Sequence, residues 1–188
     1  MADGTLKVGQ ITTSSGSGTI TIGQSGETVN MSNATKIGFG GVNTPAFFAH
    51  SASDQGSVAD NSYTKVTLGT EVFDVGSCFA SSRFTVPSGE AGKYFFYGSV
   101  RCQVASNSDM NQSYAAFYLN GSIYVENRMN FQSNPVRLAT NLIHTVLDLS
   151  VGDYVELYAA IDHAGASAIE IGSGEKGTNF GGYKIIGA

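Results

Sequence analysis

Apolar residues recur along this chain in short runs with a period of two, and almost nowhere with the 3.6-residue period of an amphipathic helix. The densest run lies in residues 84–104, FTVPSGEAGKYFFYGSVRCQV. Tyr94, Phe96, Val100, Cys102 and Val104 share one parity there, and Phe95 and Tyr97 fall on the other. A half-buried strand would carry polar groups on its second face; this one is aromatic on both at its start. Such a strand must be covered on both sides. The partner sheet of a sandwich supplies one cover, and a second copy of the chain is the expected source of the other.

The same alternation continues through residues 43–188. Phe47 and Phe48 follow a proline, residues 54–61 are polar, and Tyr63, Val66 and Leu68 alternate. A short edge strand is expected at 71–73, a polar loop at 107–111, and strands at 113–119 and 123–129 around Asn120 and Gly121. Asn-Gly between apolar runs is the strongest local hairpin signal. Long alternation at 136–149, then strands at 154–161, 168–171 and 179–186, complete the chain. About ten short antiparallel strands and no helix define an all-β sandwich or barrel.

The first 42 residues are different. GTLKVGQ at residues 4–10 recurs as GTITIGQ at residues 18–24, and a weaker echo, ATKIGFG, occupies residues 34–40. Leu6, Val8, Ile20, Ile22 and Val29 supply only two or three apolar side chains per strand, too few for an isolated sheet. Two organisations fit: a low-complexity arm, or a β-rich stalk whose strands become stable when several chains bury them together. The internal repeat favours the stalk. The expected division is a stalk or anchor at 1–42 and a head domain at 43–188.

Composition narrows the function. Charged residues are 13% of the 188 and the net charge is −5, so no basic surface is available for a nucleic-acid backbone. No apolar stretch is long enough for a membrane-spanning helix. The N-terminal sequence carries neither a basic cluster nor an apolar run of the secretory type, which points to assembly in a cytosol or to export by a route the sequence does not show. Cys78 and Cys102 match no zinc spacing and are expected as free, buried thiols.

The candidate chemistry is sparse. His50, His144 and His163 are isolated from one another and form no metal-ligand pair at short spacing. No Gly-x-Ser-x-Gly elbow stands in a strand–turn–helix context, and the Gly/Ser-rich stretches at 15–18 and 172–174 open no helix that could cradle phosphate. Asp148 and Asp153 admit two readings, a calcium pair or ordinary Asx-turn chemistry, and the absence of a dense acidic cluster favours the turn. A non-enzyme without cofactor or metal is expected.

Three ordered blocks carry a resemblance. Phe73-Asp74, Phe79, Arg83-Phe84-Thr85-Val86-Pro87 and Gly92-Lys93-Tyr94-Phe95-Phe96 form the first; Leu147-Asp148-Leu149 with Gly152-Asp153-Tyr154-Val155-Glu156-Leu157 the second; Thr178-Asn179-Phe180-Gly181-Gly182-Tyr183 the third. Together they resemble the globular head of complement component one q and its tumour-necrosis-factor-like relatives. The resemblance implies a jelly-roll sandwich of two five-stranded sheets and a tight homotrimer, with aromatics of one sheet around the three-fold axis. It places Phe95, Tyr97 and Tyr183 at the trimer interface, with Tyr94 and Phe96 in the sandwich core. The sequence departs from the animal members in having neither a collagen-like stalk nor a secretory signal, which argues against a complement or cytokine role.

The segment GTITIGQSGETVNM at residues 18–31 is similar to stalk segments of tailed-bacteriophage, particularly marine phage, structural proteins. The combined expectation is a homotrimeric virion structural protein, assembled in the host cytoplasm. It would be a short tail fibre, spike or capsid decoration protein, joined to other virion proteins through its N-terminal segment. The alternative is a receptor-binding module that recognises a host-surface glycan or protein through loops at 54–61, 107–111, 130–134 and 164–177.

Overall fold

The computed structural model describes residues 44–105, 109–165 and 168–185. The stalk positions Leu6, Val8, Ile20, Ile22 and Val29, and the domain assignment 1–42, lie outside the described residues.

Twelve strands follow one another among the described residues. They are β1 (Ala46–His50), β2 (Thr64–Lys65), β3 (Thr70–Val75), β4 (Phe79–Ala80), β5 (Arg83–Thr85), β6 (Gly92–Val104), β7 (Met110–Leu119), β8 (Ser122–Asn130), β9 (Leu138–Leu149), β10 (Tyr154–His163), β11 (Ile169–Gly172) and β12 (Asn179–Lys184). The helical content of the described residues is one three-residue 3₁₀ turn, Gly174–Lys176. The protein is all-β, as its alternation predicts. Asn120 and Gly121 both adopt positive φ, 51° and 84°, and close the β7–β8 hairpin; a primed turn needs that conformation, and Asn-Gly adopts it at little cost.

All pairings are antiparallel and fall into two sheets. In the first, β9 lies along one side of β6, β12 and β11 share its other side, and β1 and β3 follow. In the second the order is β4, β5, β10, β7, β8, with β2 beside β5 on the same edge of β10. Because β11/β12 and β2/β5 each divide one lateral position, twelve segments occupy five positions per sheet. That is the jelly-roll sandwich.

The two sheets meet through rings. Phe47 stacks on Phe79 at 4.6 Å and meets Phe180 edge-on at 4.8 Å, while Phe84 contacts Phe96 at 5.0 Å and Phe117 contacts Phe180 at 5.2 Å. Each such pair adds about 0.5–1.5 kcal/mol beyond its buried area. One polar group crosses this core. Asn141, fully buried on β9, accepts from Ser113 Oγ at 2.7 Å and donates to the Ser113 carbonyl at 3.1 Å and to Asn127 Oδ1 at 3.2 Å. It ties β9 of the first sheet to β7 and β8 of the second.

Several local expectations differ from the structure. Tyr63, Val66 and Leu68 alternate, yet only Thr64–Lys65 pairs as a strand; Val66 and Leu68 are buried from a loop whose Val66 amide donates to Leu157 O. Met110 and Asn111 were expected in a polar loop and instead begin β7, because Met110 pairs with His163 and Gln112 with both Asp162 and Asn130.

Candidate functional site

The outer face of the first sheet is built by the odd positions of β6 and the even positions of β9. On β6, Tyr94 and Phe96 are fully buried in the core, whereas Phe95 and Tyr97 project to the other side and are half-buried. On β9 the core takes Ala139, Ile143, Leu147 and Leu149, and the outer face carries Leu142 (65% exposed), His144 and Val146 (50%). Tyr183 of β12 pairs with Phe95 and its ring lies 5.6 Å away. Phe48 of β1 stacks on Tyr97 at 6.2 Å and meets Phe73 of β3 at 6.5 Å. The structure therefore brings the three sequence-predicted interface residues, Phe95, Tyr97 and Tyr183, onto one continuous aromatic surface.

Two glycines make this surface possible. A β-carbon at Gly181 would overlap the Tyr97 ring, and one at Gly182 would overlap the Phe96 ring. Strand β12 is bare on both sides at this point, so Tyr97 can lie across its outer face while Phe96 packs beneath. Burial pushes the Tyr97 hydroxyl pKa upward, with Tyr183 adding to the effect.

Charge is confined to the margins. Lys93 and Asp148 pair across β6 and β9 toward one end, and Arg101 and Gln103 stand toward the other. Between them β6 and β9 carry Phe95, Tyr97, Leu142, His144 and Val146 on this face, and His50 of β1 lies on it two residues from Phe48. Phe48, Phe73, Leu142 and Val146 belong to this surface and were not singled out from sequence. Their signal was present: adjacent Phe47 and Phe48 are two-faced like residues 94–97, and Leu142 and Val146 have the opposite parity to Ile143 and Leu147.

The outer face of the second sheet has a different character. Glu156 is only 3% exposed there, and its Oε1 accepts from Lys65 Nζ at 2.7 Å and Arg83 Nε at 2.8 Å. Burial opposes its charge, but hydrogen bonds from Lys65 and Arg83 prevail and hold the carboxyl below its ordinary range. Tyr118 stacks on Tyr158 at 3.9 Å, Arg83 covers the Tyr154 ring at 4.0 Å, and Tyr63 hydrogen-bonds Glu126. Glu156, Lys65, Arg83 and Tyr158 are thus bonded to one another on this face.

The remaining candidates resolve as structure. Asp153 accepts from Asn120 Nδ2 and from the Ser150 amide, both at 2.8 Å, which is turn chemistry and lowers its pKa; Asp148 is an exposed strand residue opposite Lys93. His50, His144 and His163 stand apart, on β1, β9 and β10. Among the described residues no group of three or more His, Cys, Asp or Glu is placed to hold a metal ion. Cys78 and Cys102 are both buried free thiols; burial raises both pKa values, that of Cys102 to about 12. Such thiols are poor nucleophiles.

The distal loops gather at one end. The Ser173 amide donates to Asp54 Oδ1 at 2.6 Å, Ala105 to Ala168 O at 2.9 Å, Phe131 to Asn111 O at 2.6 Å, and Ala164 to Asp109 O at 2.9 Å. Thr44 enters at the opposite end, where Lys184 N donates to Pro45 O at 3.0 Å.

The sequence matches no family model and no curated protein. The fold does match solved structures. Murine APRIL is similar with a TM-score of 0.53 at 12% identity, over 74% of this chain and 98% of that one. The Eiger TNF from S. frugiperda is similar at 0.54 and 12% identity, over 76% of this chain and 93% of that one. The globular domain of zebrafish complement 1qA protein reaches 0.48 at 16% identity, over 75% and 97%. The chain from Thr44 onward thus has a tumour-necrosis-factor-like jelly-roll fold, and at these identities the likeness shows the fold alone.

Proposed function

We propose that the protein is a homotrimeric structural module, and that it serves as a bacteriophage virion structural protein: a short tail fibre, spike or capsid decoration protein. The observation that carries the trimer is the apolar outer face of the first sheet, beside a second sheet whose outer face carries the paired charges of Glu156, Lys65 and Arg83. Burying a large apolar side chain contributes about 1.5–3 kcal/mol. The half-exposed Phe73, Leu142 and Val146 alone then contribute roughly 2–5 kcal/mol per protomer. Association costs about 4–15 kcal/mol, so the four rings Phe48, Phe95, Tyr97 and Tyr183 must join the contact. A homotrimer that buries the whole face meets that requirement.

The virion assignment rests on the repeat and stalk-like pattern of residues 4–31, which would supply the anchor to other virion proteins. Light scattering of the full chain should return three times the chain mass; a single chain mass at micromolar concentration overturns the trimer. Removing residues 1–42 should leave a trimer that no longer joins particles, and continued incorporation would place the anchor elsewhere. A second reading, binding of a host-surface glycan or protein, is favoured by the mutually bonded loops at the end opposite Thr44. Cell binding by the head alone would support it, and failure to bind would leave a purely structural role.

A further inference from the structure

His144 lies midway along β9, the strand at one edge of the apolar face. On its own strand it is flanked by Leu142 and Val146, at least half exposed on the same side. Across the ladder it stands opposite Tyr97, and its ring lies 6.3 Å from Phe95, which in turn contacts Tyr183. Among the described residues, the far edge of β9 carries no strand in this sheet. The titratable and charged groups facing His144 are therefore few. Tyr97 and Tyr183 are the titratable ones nearby; Lys93 with Asp148, and Arg101, stand about four residues along the strands, on the order of 13 Å away. Among the described residues no carboxylate of β6, β9 or β12 is placed to receive an imidazolium.

We infer that His144 makes assembly of the trimer pH-dependent, with the neutral imidazole admitted to the contact and the charged one expelling it. The inference rests on the trimer reading above and deepens it. Histidine is the side chain whose charge ordinarily changes between pH 5 and 8, and burial among rings disfavours the charged form. In the assembly the imidazole would bind its proton less tightly than in the free protomer. Association would then release protons, be complete at mildly alkaline pH, and be lost as pH falls through the imidazole range. With one such group from each of three chains, the association constant falls by up to about a thousand-fold per pH unit on the acid side.

The test is light scattering of the full chain at pH 8 and pH 5, for the wild type, His144→Phe and His144→Gln. The expected result is three chain masses at pH 8 and one at pH 5 for the wild type, with three masses at both pH values for the two neutral variants. His144 lies on the surface of the protomer, so both variants should fold, and both retain every carboxylate that could otherwise respond to acid. A wild type that stays trimeric at pH 5, or variants that dissociate in acid as it does, overturns the inference and leaves the trimer standing. A wild type that is monomeric at pH 8 overturns the trimer, and this regulation with it.

Discussion

Tyr97 lies across Gly181, on the opposite side of β12 from the place where Phe96 lies against Gly182. The two substitutions to alanine should separate assembly from folding. Gly182→Ala drives a methyl into the core ring and should lower subunit stability by about 1–3 kcal/mol, read by thermal or denaturant unfolding. Gly181→Ala displaces the Tyr97 ring from the apolar face and should weaken the trimer more than the fold. Equal loss of subunit stability in the two variants would contradict this division.

Phe95→Asp places a charge on the outer face without touching the core. The protein should scatter as single chains with an unchanged far-ultraviolet circular dichroism spectrum. Phe96→Ala, one residue along, removes a fully buried ring and should cost about 3–5 kcal/mol of subunit stability. If Phe95→Asp unfolds the subunit as readily as Phe96→Ala, the assignment of the two parities fails.

Glu156 links stability to pH. Its folded pKa is depressed, so its contribution is complete above the unfolded-chain value of about 4.3 and is lost as pH falls through the lower folded value. Glu156→Gln should destabilise by about 1–3 kcal/mol at pH 7, moderated because Lys65 and Arg83 reach water. Denaturant titrations of both proteins at several pH values should show that gap narrowing below about pH 4. A gap independent of pH would assign the loss to packing instead.

Asn141→Ala leaves the Ser113 hydroxyl buried without its acceptor and should cost about 1–3 kcal/mol. Adding Ser113→Ala removes the orphaned group, so the double variant should lose less than the sum of the singles. Strict additivity in a double-mutant cycle would show that the two side chains do not act as a pair.

Much of the head was legible because its signals are local. The Asn120–Gly121 turn fixes a hairpin by its own φ angles, and the two-faced aromatic run announces that β6 has covered surfaces on both sides. What was hidden depends on distance along the chain. Glu156 sits in an apolar strand, VELYAAI, and its partners lie 91 and 73 residues away, so no window of sequence shows that its charge is satisfied. Met110 and Asn111 look like loop by composition and become strand only through pairing with β8 and β10. For the outer face the opposite parity of Leu142 and Ile143 was readable in principle. Reading it required knowing where β9 begins, which is fixed by its ladder with β6 at Gln103.

The difference between the two outer faces also sorts the molecule's future contacts. In a closed ring of three chains, the face of Phe95 and Tyr97 turns inward and is withdrawn from everything but other copies. The sheet bearing Tyr118, Tyr158 and the Glu156 cluster, with the loops around Asp54 and Ser173, then becomes outward-facing surface of the head. Variation under pressure from outside would then accumulate on one sheet and on the loops, while the other sheet drifts only as fast as three identical copies can change together.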